Sequence, residues 1–144
     1  MVATTGPDAS ADLTAQLGGA LPANARVSPF LPYRQLLPLV DVFVTNGGYG
    51  GVQQALSHGV PIVTAGVSED KRETSRRIAW SGVGIDLGTS TPTEEAIAAA
   101  VDRVLTETRF RDRAGALAAE IASVPGMERL ERLIRDVVAE KIVR

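Results

Sequence analysis

The sequence predicts an α/β fold in which a parallel sheet is flanked by helices and followed by a helical C-terminal tail. Short apolar and β-branched runs alternate with helix-like segments over residues 1–90, which is the pattern of a parallel sheet with helices on both faces. Beyond residue 90, apolar residues recur at helical spacing. We therefore expect a single compact domain over 1–144, with an α/β core over 1–90 and a helical tail over 91–144.

Five short runs of apolar and β-branched residues are predicted as strands. The first run is already in progress at Val2, so we expect the domain to be N-terminally incomplete, with upstream material lost or supplied by another chain. The predicted strands are Val2–Thr5, Ala25–Val27, Val40–Thr45, Pro61–Thr64 and Val83–Leu87.

The segments between these strands are predicted as helices or loops. A helix over residues 52–59 should stop at Gly59 and Pro61, because glycine suits the left-handed position after a helix and proline cannot continue one. The other segments are a weak helix or loop over 9–19, a loop over 30–33, one helical turn over 34–37 that Pro38 ends, and a helix over 70–80.

The tail is predicted as three helices. The first should begin in Thr91-Pro92-Thr93-Glu94-Glu95, with a threonine cap, a proline in the first turn and early acids that suit the helix dipole. A second, alanine-rich helix covers Phe110–Val124, and Pro125-Gly126 breaks it. The last helix carries one apolar stripe made of Met127, Leu130, Leu133, Ile134, Val137 and Val138.

Composition excludes several classes of function. The chain has 144 residues with a net charge of -2 and no basic stripe with interleaved aromatics, which argues against nucleic-acid binding. It has no cysteine and one histidine, so disulfides, thiolate metal sites and multi-histidine metal sites are excluded. No apolar run reaches the roughly 20 residues of a membrane span, and the N-terminus lacks a signal-peptide pattern. We expect a cytoplasmic protein.

The segment Thr45-Asn46-Gly47-Gly48-Tyr49-Gly50-Gly51 is the most informative motif. It joins a predicted buried strand to a predicted short helix. A glycine-rich turn at this position leaves backbone N–H groups unshielded at the positive end of the helix dipole, an arrangement that binds phosphate. The alternative is a tight turn that needs glycine for positive φ and binds nothing. Four glycines in five positions exceed the needs of one turn, so phosphate binding is the favoured interpretation.

Ordered motifs across residues 25–90 resemble the donor-binding signature of GT-B nucleotide-sugar glycosyltransferases, and most of all the macrolide- and rhamnosyl-transferring, UDP-glycosyltransferase-like branch. The glycine loop over 43–51, the helix that ends in Gly59-Val60-Pro61 and the Asp70-Lys71 pair follow that family's His-Gly-Gly-type loop, Gly-Val-Pro helix end and Asp-Gln-type loop. Phe30-Leu31-Pro32-Tyr33 stands where the family has an aromatic-x-Pro-Gln base-binding loop, and Ser81-Gly82-Val83-Gly84 matches its Gly-Val-Gly.

This resemblance implies the C-terminal, donor-binding half of a GT-B fold, in which two Rossmann-like halves enclose the active site. The catalytic histidine and its supporting aspartate belong to the acceptor-binding half, which the sequence lacks, so no catalytic residue is assigned. The implied function is the nucleotide-sugar-binding part of an inverting, metal-independent glycosyltransferase. The enzyme would move a hexose or deoxyhexose from a UDP- or dTDP-sugar, without a cofactor, to a small-molecule or lipid hydroxyl. The implied partner is the acceptor-binding half or a separate subunit, and self-association stays open.

The resemblance also implies which residues bind the donor. Asn46 replaces the family's phosphate-facing histidine and Gly51 its serine or threonine, so phosphate contacts would depend on backbone N–H groups and the helix end. Gln54 stands where a glutamate binds ribose hydroxyls, with Gln53 as the alternative if the register slips by one. The assigned donor-binding residues are Tyr33, Asn46, Gly47, Gly48, Tyr49, Gly50, Gly51, Gln54, Asp70 and Lys71.

Several of these residues have a second interpretation. Asp70 aligns with the carboxylate that binds sugar hydroxyls, but acids at a helix start are also favoured by the dipole alone. Lys71 replaces a glutamine and could direct its charge toward the diphosphate. Tyr33 is the better candidate for stacking on the nucleobase, whereas Phe30 is expected in the core.

The remaining aromatic residues and the histidine are given structural roles. We expect Phe43, Tyr49 and Trp80 to pack, although Tyr49 could instead cover the phosphates. His58 is expected to cap the C-terminus of its helix before Gly59.

Two further functions stay open at this point. The chain could be a non-catalytic sugar-nucleotide-binding module, or the donor subunit of a two-chain transferase. A dinucleotide-binding oxidoreductase is a weaker alternative. Asp70 does lie about 20 residues after the glycines, but the glycines do not form Gly-x-Gly-x-x-Gly and their loop follows an internal strand.

Overall fold

A computed structural model of the chain describes residues 1–6 and 21–142, so the segment predicted over 9–19 lies outside the described residues. The chain divides into two compact units, Met1–Leu39 and Val40–Arg144. The first unit holds two parallel strands, β1 (Val2–Thr4) and β2 (Arg26–Ser28), with Val2 opposite Arg26. A short helix α1 (Tyr33–Leu36) follows and continues as a 3-10 turn (Leu37–Leu39). Pro38 lies within this 3-10 turn and does not end the helical segment as predicted.

The second unit is built on three parallel strands in the order β3-β4-β5, namely β3 (Phe43–Thr45), β4 (Ile62–Thr64) and β5 (Gly84–Asp86). Thr45, Thr64 and Asp86 share one register row, so the three strands end together at one edge. Strand β4 is central and fully buried, as its continuous apolar sequence predicts.

Five helices complete the second unit. They are α2 (Tyr49–Ser57), α3 (Lys71–Ser81), α4 (Glu94–Thr106), α5 (Thr108–Ser123) and α6 (Gly126–Ile142). None of the helices over residues 21–142 is long and apolar enough to cross a membrane. The predicted α/β class, with parallel sheets flanked by helices and a helical C-terminal end, is confirmed.

The core lies where α4 and the start of α5 pack on the sheet. Val63 of β4 clusters with Ala100 and Val104 of α4 and with Phe110 of α5. Full burial of a valine or phenylalanine side chain contributes about 1.5–3 kcal/mol. The first two helices beyond residue 90 therefore share a core with the strands. The domain limits at residue 90 stay a prediction.

Helix α6 does bear the predicted apolar stripe, but the described residues do not cover it. Its side chains are between 50% exposed at Leu130 and 79% exposed at Met127.

The predicted start of α2 is wrong, whereas the predicted start of α4, with a threonine cap and early acids, is confirmed except for Pro92, which lies ahead of the first turn. Helix α2 begins at Tyr49 instead of residue 52, so Tyr49, Gly50 and Gly51 form its first turn. Helix α4 begins after Thr93, whose extended backbone places its Oγ1 to accept a hydrogen bond from the Ala96 N–H at 3.2 Å.

The residues before that cap belong to a separate turn. The Thr91 N–H donates to the Thr89 Oγ1 at 3.1 Å, so Thr91 closes this turn and Pro92 lies ahead of the helix.

Candidate functional site

The glycine loop is shaped by the two polar side chains that precede it. The Gly47 N–H donates to the Thr45 Oγ1 at 3.3 Å, and the Gly48 N–H donates to the Asn46 Oδ1 at 3.2 Å. Gly47 has a φ of +86°, a left-handed conformation that favours glycine. Neither Gly48 nor Gly50 has a positive φ. The alternative interpretation, a tight turn that needs glycine for positive φ, therefore explains Gly47 but not Gly48 or Gly50.

The first turn of α2 presents N–H donors that the helix itself does not satisfy. Its N-cap is Gly48, which has no side chain to cap the turn, and the first bond into the helix runs from the Val52 N–H to the Gly48 carbonyl at 3.1 Å. The N–H groups of Tyr49, Gly50 and Gly51 therefore have no acceptor within the helix. A Cβ on Gly50 would meet nothing within 4 Å, so the space beside Gly50 is open. Such a turn can bind an anion.

The loops after β3 and β4 meet at backbone contact. The Ala65 N–H donates to the Thr45 carbonyl at 3.0 Å, and a Cβ on Gly66 would lie 1.9 Å from the Asn46 carbonyl oxygen. A Cβ on Gly47 would lie 2.8 Å from the Ser75 Oγ of α3. The glycine loop is thereby packed against the segment that leads to Asp70.

Asp70 is the N-cap of α3, but its carboxylate does not cap the helix. Its backbone is helical, with φ −75° and ψ −12°, and its side chain makes no capping hydrogen bond. The Thr74 Oγ1 donates to the backbone carbonyl of Asp70 at 3.2 Å. The carboxylate therefore makes no capping bond that would compete with a ligand.

Lys71 directs its charge to Glu69. The Lys71 Nζ and the Glu69 Oε2 form an ion pair, and Glu69 has a left-handed φ of +55°. The hydrogen bond from Lys71 holds the pKa of the Glu69 carboxyl below its usual value, and the same bond raises the pKa of the Lys71 ammonium. In this structure the Lys71 ammonium is therefore paired with the Glu69 carboxylate.

A groove of about 650 Å³ runs between α2 and α3. It is lined by Tyr49 and Asp70 of the predicted site and by Gln53, the predicted alternative to Gln54. Gln54 lies outside the lining, and its Nε2 donates to the Gly50 carbonyl one turn back at 3.3 Å. The other lining residues are Val52, Leu56, Glu73, Thr74, Arg77, Ile78, Trp80, Ser81 and Leu117. Of these, Thr74 and Arg77 were missed, although their helical spacing from Asp70 was a usable signal.

The predicted roles of three aromatic residues need correction. Trp80 is 90% exposed and Tyr49 62% exposed, so neither packs in the core. Ile78 of α3 points inward, and two residues further on a helix faces roughly the opposite direction, which places Trp80 outside. In the first unit, Phe30 is 78% exposed instead of core, while Tyr33, the predicted base-stacking residue, is half-buried at the start of α1.

His58 occupies the predicted position at the C-terminus of α2. Its backbone N–H donates to the Ala55 carbonyl at 3.1 Å, and Gly59 follows with a φ of +67°. The predicted role of His58 at the end of α2 is therefore confirmed. The N–H donors of the first turn lie at the other end of this helix.

The chain is similar to known proteins along most of its length. The family model described as "Erythromycin biosynthesis protein CIII-like, C-terminal domain" matches residues 9–135. The 4'-demethylrebeccamycin synthase of Lentzea aerocolonigenes is 48% identical over 118 residues, covering 79% of this chain and 28% of that protein. The demethyllactenocin mycarosyltransferase of Streptomyces fradiae is 37% identical over 108 residues, covering 75% and 23%. The chain thus spans only about a quarter of these relatives.

Solved structures agree with this similarity. The glycosyltransferase VinC, in a complex with dTDP, matches 97% of this chain and 34% of its own at a TM-score of 0.84 and 29% identity. The spinosyn rhamnosyltransferase SpnG, in a complex with spinosyn aglycone, matches 93% of this chain and 36% of its own at a TM-score of 0.81 and 27% identity.

Proposed function

Because the chain belongs to the erythromycin biosynthesis protein CIII-like, C-terminal domain family of glycosyltransferases, we propose that it binds the sugar-nucleotide donor of an inverting, metal-independent enzyme. The complete enzyme would move a hexose or deoxyhexose to the hydroxyl of a small molecule or lipid. A UDP- or dTDP-sugar is the proposed donor, since a similar protein of Starmerella bombicola is named a UDP-glucosyltransferase and VinC is in a complex with dTDP.

The observation that carries this proposal is the uncapped first turn of α2. The N–H groups of Tyr49, Gly50 and Gly51 have no acceptor within the helix and lie at the positive end of the helix dipole. Each hydrogen bond to a charged phosphate contributes about 1.5–3 kcal/mol. As the bond to the sugar breaks, negative charge grows on the leaving diphosphate, and these donors would stabilise it. In the proposed mechanism these N–H donors stabilise the leaving diphosphate, a role that a metal ion has in metal-dependent enzymes.

The sugar end of the donor is proposed to lie at Asp70. A carboxylate can accept two hydrogen bonds from neighbouring hydroxyls, and the Asp70 side chain makes no capping bond that would compete. Gln54 remains the proposed ribose contact, with Gln53 as the alternative that lines the groove beside Asp70.

The catalytic base is proposed to come from an acceptor-binding half or a separate subunit. His58 lies at the far end of the nine-residue helix α2, roughly 13 Å from its first turn at 1.5 Å per residue. The described site therefore supplies binding groups and no histidine that could act as the base. The same observation keeps open the alternative of a sugar-nucleotide-binding module, or of the donor subunit of a two-chain transferase.

Calorimetric titration of the chain tests the proposal. UDP, dTDP and GDP would each be compared with the corresponding monophosphate. We expect at least one nucleoside diphosphate to bind about tenfold more tightly than its monophosphate, because the second phosphate gains a charge-assisted hydrogen bond. Equal binding, or no binding across the set, would refute a diphosphate site.

A further inference from the structure

We propose that Ser75 is a positioning residue that sets the distance between the first turn of α2 and Asp70. The inference rests on the proposed donor site and adds to it a buried side chain that touches no ligand. Ser75 lies five residues after Asp70 on α3 and is fully buried.

One side chain contacts both loops of the site. The Ser75 Oγ lies 2.8 Å from the position that a Cβ on Gly47 would take, and it donates to the Gly66 carbonyl at 3.5 Å. The Lys71 carbonyl oxygen is 3.5 Å from the same Gly47 position. The glycine loop, the loop after β4 and the first turns of α3 therefore meet around Ser75.

The backbone around this junction is closely packed. Gly66 already passes the Asn46 carbonyl oxygen so closely that a Cβ would lie 1.9 Å from it, and Gly47 is held at a φ of +86°. Because Ser75 is fully buried beside these two glycines, we expect an added methyl group at position 75 to displace the glycine loop or the helix that follows Asp70. The small size of Ser75 is the important property, since a hydrogen bond of 3.5 Å is weak.

Such a displacement affects two ligands differently. A nucleoside diphosphate would contact the first turn of α2, whereas a nucleotide sugar would contact that turn and Asp70 together. A ligand that spans both sides of the junction loses affinity when their distance changes, because its two sets of contacts can no longer form at once. The ratio of the two affinities therefore reports on positioning, and a general loss of stability does not change it.

The test compares Ser75→Val and Ser75→Ala with Ala114→Val, which overfills a fully buried site on α5. Each 144-residue variant would be titrated with UDP, UDP-glucose, dTDP and dTDP-glucose, and its thermal melting recorded. We expect Ser75→Val to weaken the nucleotide sugar about tenfold more than the diphosphate. Ser75→Ala should keep the wild-type ratio. Ala114→Val should lower the melting temperature and leave the ratio unchanged.

The inference is overturned if Ser75→Val keeps the wild-type ratio, or if Ala114→Val changes it as much. If Ser75→Val does not fold, Ser75→Thr adds a single methyl group, keeps the hydroxyl and is judged by the same ratio. A wild-type chain that binds none of the four nucleotides would refute the proposed function. That outcome is distinct from normal binding with an unchanged ratio in the variant, which refutes the positioning role alone.

Discussion

A Cβ atom on Gly66 would lie 1.9 Å from the backbone oxygen of Asn46. Real side chains do not tolerate such a separation, so only glycine lets the loop after β4 pass the glycine loop at backbone contact. The two loops that carry the proposed donor site are thereby fixed to each other by the fold, and a ligand does not have to bring them together.

Gly66→Ala should destabilise the chain strongly, whereas Gly50→Ala should stabilise it. The first change forces two backbones apart and should cost about 3 kcal/mol or more in the free energy of unfolding. The second adds a methyl group within a helical turn with nothing within 4 Å, and should gain about 0.5–1 kcal/mol. Urea unfolding followed by circular dichroism measures both. Similar values for the two variants would contradict the close approach.

Asp70→Ala should weaken the nucleotide sugar while leaving the free diphosphate nearly unchanged. Loss of a charge-assisted hydrogen bond to sugar hydroxyls corresponds to about 1.5–3 kcal/mol, or roughly ten- to a hundredfold in affinity. Asp70→Asn is the matched control, because it keeps the shape and one acceptor. An equal loss for both ligands would mean that Asp70 shapes the loop and does not contact the sugar.

Gly50→Val should weaken both ligands together. Gly50 is helical, so valine does not face a forbidden φ here, and its side chain would instead fill the open space beside Gly50, in the turn proposed to bind phosphate. We expect at least a tenfold loss for UDP and UDP-glucose alike, of the order of one lost charge-assisted bond. Thermal melting checks that the variant folds. Unchanged affinities in a folded variant would exclude the first turn of α2 as the phosphate site.

The chain alone should not transfer sugar. His58 lies at the end of α2 away from the proposed phosphate site, so we expect no turnover of a UDP- or dTDP-sugar with an added acceptor. Chromatographic detection of the released diphosphate is the measurement, and His58→Ala is the control. Turnover that survives this substitution would show that the base lies elsewhere in the chain.

Thr93→Ala should destabilise α4, and Thr91→Ala should have a smaller effect. The Thr93 Oγ1 accepts from the Ala96 N–H at 3.2 Å, and loss of such a cap costs about 1 kcal/mol. Thr91 lies in the turn before the helix, where its N–H, which alanine retains, donates to the Thr89 Oγ1. Equal destabilisation in urea would contradict the observed start of the helix.

Elements with strong local signals could be predicted from the sequence. Strands β3 and β4 were found because β-branched residues fill a fully or partly buried sheet. The start of α2 was missed because Gly50 and Gly51 have poor helix propensity. The helix is stabilised there by packing, since Val52, Ala55 and Leu56 are buried and hold it in place.

Contacts between distant residues could not be predicted. The approach of Gly66 to Asn46 and the contact of Ser75 with Gly47 depend on how segments separated by about 20 and about 28 residues pack together. The ion pair of Lys71 with Glu69 is local, but it is accompanied by a left-handed backbone at Glu69, which nothing in the sequence indicates. The chemistry of the site is therefore easier to infer from sequence than its geometry.

Trp80 is the one tryptophan of the chain, and its side chain is 90% exposed on the groove between α2 and α3. Its indole is already surrounded by water in the folded state, so its fluorescence emission should change little when the chain unfolds. A molecule that enters the groove beside it would instead remove that water and shift the emission toward the blue. The fold thus contains an intrinsic optical probe that responds to occupancy of the groove and is nearly silent to denaturation.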